Sequence, residues 1–124
     1  MREHKYRAWM KKEFSLPKAT YDTFTIQELM TGKHNFSKYE NWEEYTGLTD
    51  KNGVEIYEFD LIKATRHTSN PKTRVVTYDI DKGAYFVVKN SLEETKWNDC
   101  LTREQLTRFG YEVIGNKYQN KELL

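Results

Sequence analysis

The sequence is poor in the residues from which several classes of protein are built. Cys100 is its one cysteine, which rules out an internal disulfide and a set of thiolates spaced as metal ligands. No stretch approaches the roughly 18 apolar residues of a membrane helix, and the N-terminus Met-Arg-Glu-His-Lys has no apolar signal segment. We therefore expect a protein of a reducing cytoplasm that is neither embedded in a membrane nor secreted by this route.

An excess of charge of one sign is also missing. Twenty Lys and Arg residues against nineteen Asp and Glu leave a net charge of +1, so no global field attracts nucleic acid or an anionic membrane. Aromatic residues are abundant, with 9 Tyr, 6 Phe and 3 Trp among 124 residues, and this excludes a disordered composition because each can bury a large area. The length predicts a single domain over residues 1–124.

Patterns that carry chemistry are scarce. The six glycines stand at turns or helix ends, and none forms a phosphate-binding loop. His4, His34 and His67 are scattered without the spacing of metal ligands. Cys100 precedes a predicted helix, whose N-terminus can lower a thiol pKa, but a lone cysteine is more often a small apolar side chain. We expect no catalytic residue, cofactor or metal, and so no enzyme.

Alternating apolar residues predict five to six short strands. In His4–Met10 the even-numbered side chains, Tyr6 among them, are expected to face the core. Asp50-Lys51-Asn52-Gly53 predicts a tight turn between the strands Tyr45–Leu48 and Val54–Tyr57. A second hairpin joins Arg74–Ile80 to Ala84–Val88.

Two capping boxes predict two very short helices, because Thr25 precedes Glu28, and Thr102 precedes Gln105, at the required spacing. A loop is expected over Lys33–Asn41. These elements predict a mainly β fold, a small antiparallel barrel or roll with two very short helices; a two-layer α+β sheet is the alternative.

The apolar phase slips at Glu58, Phe59 and Asp60, which predicts a bend. The two carboxylates could form an acid–base pair on one strand face. Short acidic side chains at a bend more often cap backbone N–H groups, and we favour that role.

Two surfaces are candidates for binding. Basic residues alternate with aromatic ones near the N-terminus, a pattern that can hold phosphates and stack a base; the candidate nucleic-acid contacts are Arg2, Lys5, Arg7, Trp9 and Lys11. Since 18 aromatics exceed what so small a domain easily buries, some are expected at a partner surface. Phe59, Tyr85 and Val87 are the candidates for that surface, with Tyr85 and Val87 expected on the exposed face of their strand.

Four blocks of sequence carry a family resemblance: Lys5-Tyr6-Arg7-Ala8-Trp9, Tyr45 to Gly53 with Glu55-Ile56-Tyr57-Glu58, Val75-Val76-Thr77-Tyr78-Asp79, and Glu112-Val113-Ile114-Gly115-Asn116 with Glu122-Leu123-Leu124. Together they resemble the YopX family of phage and prophage proteins. The resemblance implies an SH3-like roll encoded by a bacteriophage or prophage, with no established biochemical activity. Where that family usually has Glu-Gly-Asp, this chain has Glu58-Phe59-Asp60, and Phe adopts a positive φ less readily than Gly.

The preferred function is therefore a non-enzymatic binding or accessory domain that acts through protein contacts. Its expected partners are a second copy of itself, forming a homo-oligomer, and a host or phage protein. The alternative is a nucleic-acid-binding module that uses the basic N-terminal strand.

Overall fold

The protein is mainly β and is built from two antiparallel sheets of four strands each. A computed structural model describes residues 3–14, 19–32, 36–69, 71–89 and 94–123. The first sheet has the order β2-β1-β3-β4 and contains β1 (Lys5–Met10), β2 (Tyr21–Thr25), β3 (Tyr39–Thr49) and β4 (Glu55–Tyr57). The second has the order β7-β6-β5-β8 and contains β5 (Asp60–Lys63), β6 (Thr73–Asp79), β7 (Ala84–Val88) and β8 (Glu112–Asn116). The prediction of a mainly β fold is confirmed. Within the described ranges the two sheets do not close into a barrel.

Both predicted hairpins form. Tyr45 pairs with Tyr57 and Thr49 with Glu55 around the first turn, where Gly53 has a φ of 81°. Asp50 fixes this turn because its Oδ1 accepts the N–H groups of Asn52 and Val54, at 2.8 and 2.9 Å. The second hairpin pairs β6 with β7 in unbroken register from Val75↔Val88 to Asp79↔Ala84.

The chain passes from the first sheet to the second at the predicted bend. The N–H of Glu58 donates to the carbonyl of Glu44 in β3 at 3.0 Å. Phe59 follows with a φ of 67°, and its N–H donates to the carbonyl of Val76 in β6 at 2.7 Å. Its carbonyl accepts the N–H of Lys117 at 3.0 Å. Phe59 thus keeps the left-handed backbone of a glycine, held by hydrogen bonds on both sides.

Two short α-helices occur where the capping residues predict them. In α1 (Ile26–Thr31), Thr25 and Glu28 form both hydrogen bonds of the capping box. In α2 (Arg103–Phe109), the hydroxyl of Thr102 accepts the N–H of Gln105, but the Gln105 side chain donates to the carbonyl of Asn98 instead of completing the box. No helix in the described part of the chain is long and apolar enough to span a membrane.

Part of the predicted loop is ordered. Residues 33–35 lie outside the described residues, but a short 3-10 helix forms at Phe36–Lys38 and β3 already begins at Tyr39. The sequence does not reveal this strand because Tyr39–Trp42 lacks alternation, and Asn41 forms an irregularity there with a φ of 54°.

The second sheet carries apolar side chains on both faces. One face packs with β4 and α2, in a cluster of Ile56, Ile62, Val76, Tyr85, Val87, Leu101 and Leu106. The other face holds Leu61, Val75, Phe86 and Val88, with Phe59 packed against them. The prediction that Tyr85 and Val87 are exposed is wrong: they are 8% and 7% exposed because the α2 side of the sheet is covered as well.

Candidate functional site

A buried cluster of charges lies where the two sheets meet. Arg7 of β1 is held between Glu43 of β3 and Asp60 of β5, and all three residues are no more than 3% exposed. Nε and Nη2 of Arg7 donate to Oε1 of Glu43, at 2.9 and 2.6 Å. Nη1 donates to Oδ1 of Asp60 at 2.7 Å. Because Glu43 and Asp60 belong to different sheets, one guanidinium joins both.

Aromatic rings enclose this guanidinium. The rings of Trp9, Tyr21 and Tyr57 have their centres 5.4, 5.1 and 4.8 Å from Cζ of Arg7. Trp9 also donates its indole N–H to Oε1 of Glu43 at 2.9 Å. Rings and carboxylates together replace the hydration that Arg7 loses on burial.

Burial sets the protonation of the two carboxylates. It raises the pKa of Glu43 to about 7, against the opposing effect of Arg7 and the Trp9 N–H. Burial also raises the pKa of Asp60, although Arg7 and the Tyr57 N–H oppose it. One carboxylate oxygen, Oε2 of Glu43, is buried without a hydrogen-bond partner in the described part of the chain. Burial thus brings the pKa of Glu43 close to neutral pH.

The cluster of Arg7, Glu43 and Asp60 has a structural role, because it holds the two sheets together. Each of the three nitrogens of Arg7 already donates to an acceptor, and Nη2 also reaches the carbonyl of Glu58 at 3.1 Å. Asp60 caps the bend as predicted, since its Oδ2 accepts the N–H of Tyr57 at 2.8 Å. Glu58, the other carboxylate of the predicted pair, does not join the cluster through its side chain; burial raises its pKa.

The predicted basic surface on β1 does not form as expected. Arg7 and Trp9 are 3% and 2% exposed and face the junction, so the expectation that only the even-numbered side chains meet the core is wrong. Lys5 pairs with Glu55 and lies 3.6 Å from Glu3, with its ammonium above the ring of Tyr45. Lys11 is partly buried, and Arg2 lies outside the described residues.

Phe59 is neither a surface residue nor fully buried. Its ring packs on the cluster of Leu61 and Phe86, and Nζ of Lys117 lies 4.5 Å from the ring centre. Phe59 therefore secures the bend from both sides.

The opposite face of the first sheet carries an aromatic patch that the sequence analysis missed. The pairs Tyr6↔Phe24 and Ala8↔Trp42 place these side chains on the face away from Arg7. We define the outer aromatic patch as Phe24, Phe36, Tyr39 and Trp42, whose ring centres lie 5.4–6.1 Å apart in five of the pairs. Trp42 is 39% exposed at the patch. Phe36, Tyr39 and Trp42 recur at every third residue, which is not the two-residue period of a strand, so the alternation pattern does not reveal the patch.

Apolar residues continue from the patch into α1, which follows β2 directly. Ile26 and Met30, one helical turn apart, are 42% and 80% exposed. An exposed apolar area beside packed aromatic rings is typical of a protein contact surface.

A separate group of cations lies beside α2. Lys51, Arg66 and Arg103 line a cleft of about 340 Å³ beside α2. Lys51 also lies 3.5 Å from Glu112, so one carboxylate partly offsets this positive charge.

The remaining titratable candidates stay apart. His4 and His67 are exposed at the start of the chain and in a loop, and His34 lies outside the described residues. Cys100 is a free, partly buried thiol packed against the second sheet beside Phe86. No group of three or more potential metal ligands occurs among the described residues.

Comparison with known proteins supports the resemblance seen in the four sequence blocks. The structure is similar to the crystal structure of protein EF1440 from Enterococcus faecalis, with a TM-score of 0.58 and 23% sequence identity over 98% of this chain and 97% of that one. This likeness shows a shared fold. No curated protein matches the sequence. The model of the YopX protein family matches residues 5–124, nearly the whole chain, and the protein therefore belongs to the YopX family.

Proposed function

We propose that this YopX-family protein is a phage- or prophage-encoded, non-enzymatic binding domain that acts through protein contacts in the cytoplasm of its bacterial host. Family membership supports the phage context. The outer aromatic patch supports the mode of action.

The outer aromatic patch is the main support for this proposal because it lies on the face of the first sheet opposite Arg7. The inner face of the first sheet is occupied by Arg7 and its partners, whereas Trp42 on the outer face is 39% exposed. Tryptophan supplies a large, rigid contact area and is enriched among the residues that dominate binding energy. Met30, 80% exposed in α1, adds an adaptable apolar side chain.

Affinity capture from host-cell lysate tests the proposal with three baits: the wild type, Trp42→Ser and Trp97→Ser. Trp97 is the matched control because it is 64% exposed and belongs to the second sheet's side of the molecule. We expect one host or phage protein to be retained by the wild type and by Trp97→Ser but lost from Trp42→Ser. Equal retention by all three baits would contradict the assignment of the patch.

Self-association is part of the proposal. Light scattering at micromolar concentration measures it, and we expect a homo-oligomer that Trp42→Ser weakens. A monomer at every concentration would remove the homo-oligomer from the proposal and leave contact with another protein.

Nucleic-acid binding is the second candidate function. The cleft of Lys51, Arg66 and Arg103 is a better candidate site for it than the β1 strand. Fluorescence anisotropy with single- and double-stranded probes at low salt measures it. If the second candidate is correct, replacing these three residues by Ala abolishes a salt-sensitive signal, while the control Lys5→Ala/Lys11→Ala retains it. Absence of salt-sensitive binding by the wild type would exclude this function.

A further inference from the structure

Strand β2 forms one edge of the first sheet, and its pairing shows which backbone groups face outward. The N–H of Met10 donates to the carbonyl of Thr20 at 3.0 Å, and the N–H of Ile26 donates to the carbonyl of His4 at 3.1 Å. Antiparallel hydrogen-bonded pairs recur at every second residue, so the even-numbered residues of β2 bond to β1. The N–H and C=O groups of the odd-numbered residues point away from the sheet.

Among the described residues, nothing pairs with the outward backbone groups of two residues of this edge. Thr25 is closed because its N–H donates to Oε1 of Glu28 at 3.1 Å and its position caps α1. Tyr21 and Thr23 are exposed and present four outward backbone groups. An open edge of this kind is a template for an added strand.

A second copy of the chain fits this edge poorly. A two-fold pairing that satisfies all four groups joins Tyr21 to Thr23 of the other copy and sets Asp22 opposite Asp22. Like charges directly opposite each other are destabilising, and such pairs bring their Cα atoms to about 4.5 Å. A pairing centred on Thr23 instead requires the N–H of Thr25, which Glu28 already occupies.

The side chains along the β2 edge favour a partner other than a second copy of the chain. Asp22 lies on the outer face, where it accepts the hydroxyl of Tyr39 and has no cationic partner in the described part of the chain. Phe24, two residues further on the same face, belongs to the outer aromatic patch. A strand added here places alternate side chains opposite these two residues.

We propose that the β2 edge binds an extended segment of a partner protein that carries a lysine or arginine opposite Asp22 and an apolar residue opposite Phe24. The inference rests on the proposed protein-binding function and names the chemistry of its partner. Backbone hydrogen bonds to Tyr21 and Thr23 supply the affinity, and the charge and the apolar contact supply the choice of sequence.

Selection from a random heptapeptide phage-display library tests the inference on the wild type, Asp22→Lys and Thr23→Pro. Proline removes the outward N–H of Thr23 without touching a bond to β1, and an edge strand tolerates it. We expect the wild type to enrich peptides with a basic residue two positions from an apolar one. Asp22→Lys is expected to change the preference at the basic position to Asp or Glu. Thr23→Pro is expected to weaken binding of the enriched peptide at least tenfold.

Amide exchange locates the peptide independently of these variants. Adding the enriched peptide to the wild type is expected to slow exchange of the Tyr21 and Thr23 amides most, since the Asp22 and Phe24 amides already bond to β1. A peptide preference that Asp22→Lys leaves unchanged, undiminished binding to Thr23→Pro, or protection elsewhere would overturn the inference. A wild-type dimer that Thr23→Pro abolishes would overturn it in favour of self-pairing.

The lysate capture with the Trp42 variants separates this failure from that of the proposed function. If the partner is retained by the Thr23→Pro bait but lost from the Trp42→Ser bait, the binding function stands and the β2 edge is excluded. If no partner is captured by the wild type and lost from the Trp42→Ser bait, the proposed function itself fails.

Discussion

Nη1 of Arg7 lies 2.7 Å from Oδ1 of Asp60, and this ion pair joins residues 53 positions apart in the sequence. Arg7 belongs to the first sheet and Asp60 opens the second. The same guanidinium binds Glu43, so both sheets depend on one buried charge. The fold beneath the outer aromatic patch is held in place by this contact.

Replacing Arg7 by Met is expected to lower the free energy of unfolding by about 3–5 kcal/mol, because it leaves two buried carboxylates without their cation. Urea denaturation measures the change. Adding Glu43→Gln to Arg7→Met removes one of the stranded charges and is expected to recover part of the loss. If Arg7→Met costs less than about 1 kcal/mol, a level typical of exposed ion pairs, the cluster does not join the sheets.

Stability is expected to fall as the pH rises from about 4.5 to about 7. The folded state raises the pKa of Glu43 from 4.5 to about 7, so it binds this proton more tightly than the unfolded chain does. The stability from that proton is present below pH 4.5 and is lost as the pH rises through about 7. Asp60, whose pKa burial also raises, acts in the same direction. Denaturation of the wild type and Glu43→Gln over this range checks the prediction, and equal slopes for the two would contradict it.

Trp9→Phe is expected to move this pH dependence upward. The substitution keeps an aromatic ring near Arg7 but removes the indole N–H that donates to Glu43 and lowers its pKa. Carbon-detected NMR titration of the Glu43 carboxyl in both proteins measures the change. An unchanged or lower pKa would show that Trp9 does not stabilise the charged form.

At Phe59, glycine is expected to be the better replacement. Both Phe59→Ala and Phe59→Gly lose the ring contacts, but Ala keeps the strain of a left-handed backbone at a φ of 67°. We expect Phe59→Gly to be more stable than Phe59→Ala by about 1 kcal/mol in urea denaturation. Thr77 in the middle of β6 is the control, where Ala is expected to be the more stable of the two. If Phe59→Ala proved more stable than Phe59→Gly, as expected for the two variants at Thr77, the bend would not keep its left-handed backbone once the Phe59 ring is removed.

Local signals in the sequence predicted most of the elements. Asp50–Gly53 predicted the first turn, Thr25 and Thr102 predicted the starts of the helices, and the slip in apolar phase at Phe59 predicted a bend, which proves to be where the chain passes between the sheets. Each signal acts between residues close in sequence, so no knowledge of the partner strand was needed.

The faces of the strands could not be predicted in the same way. The sequence predicts Arg7 to be a surface residue because its partners are distant in the chain. Glu43, 36 residues away, and Asp60 supply the carboxylates with which it pairs. Tyr85 and Val87 read as exposed because alternation assumes one solvated face, whereas apolar side chains cover both faces of the second sheet.

In-cell photo-crosslinking tests the central claim, that the outer aromatic patch is a protein contact surface, most directly. A benzophenone amino acid replaces Trp42 in one protein and Trp97 in the control, and both are irradiated in the host cell. The proposal predicts a discrete cross-linked protein, a second copy or a partner, from position 42 and none in common from position 97. No discrete product from position 42, or the same products from both positions, would contradict the claim.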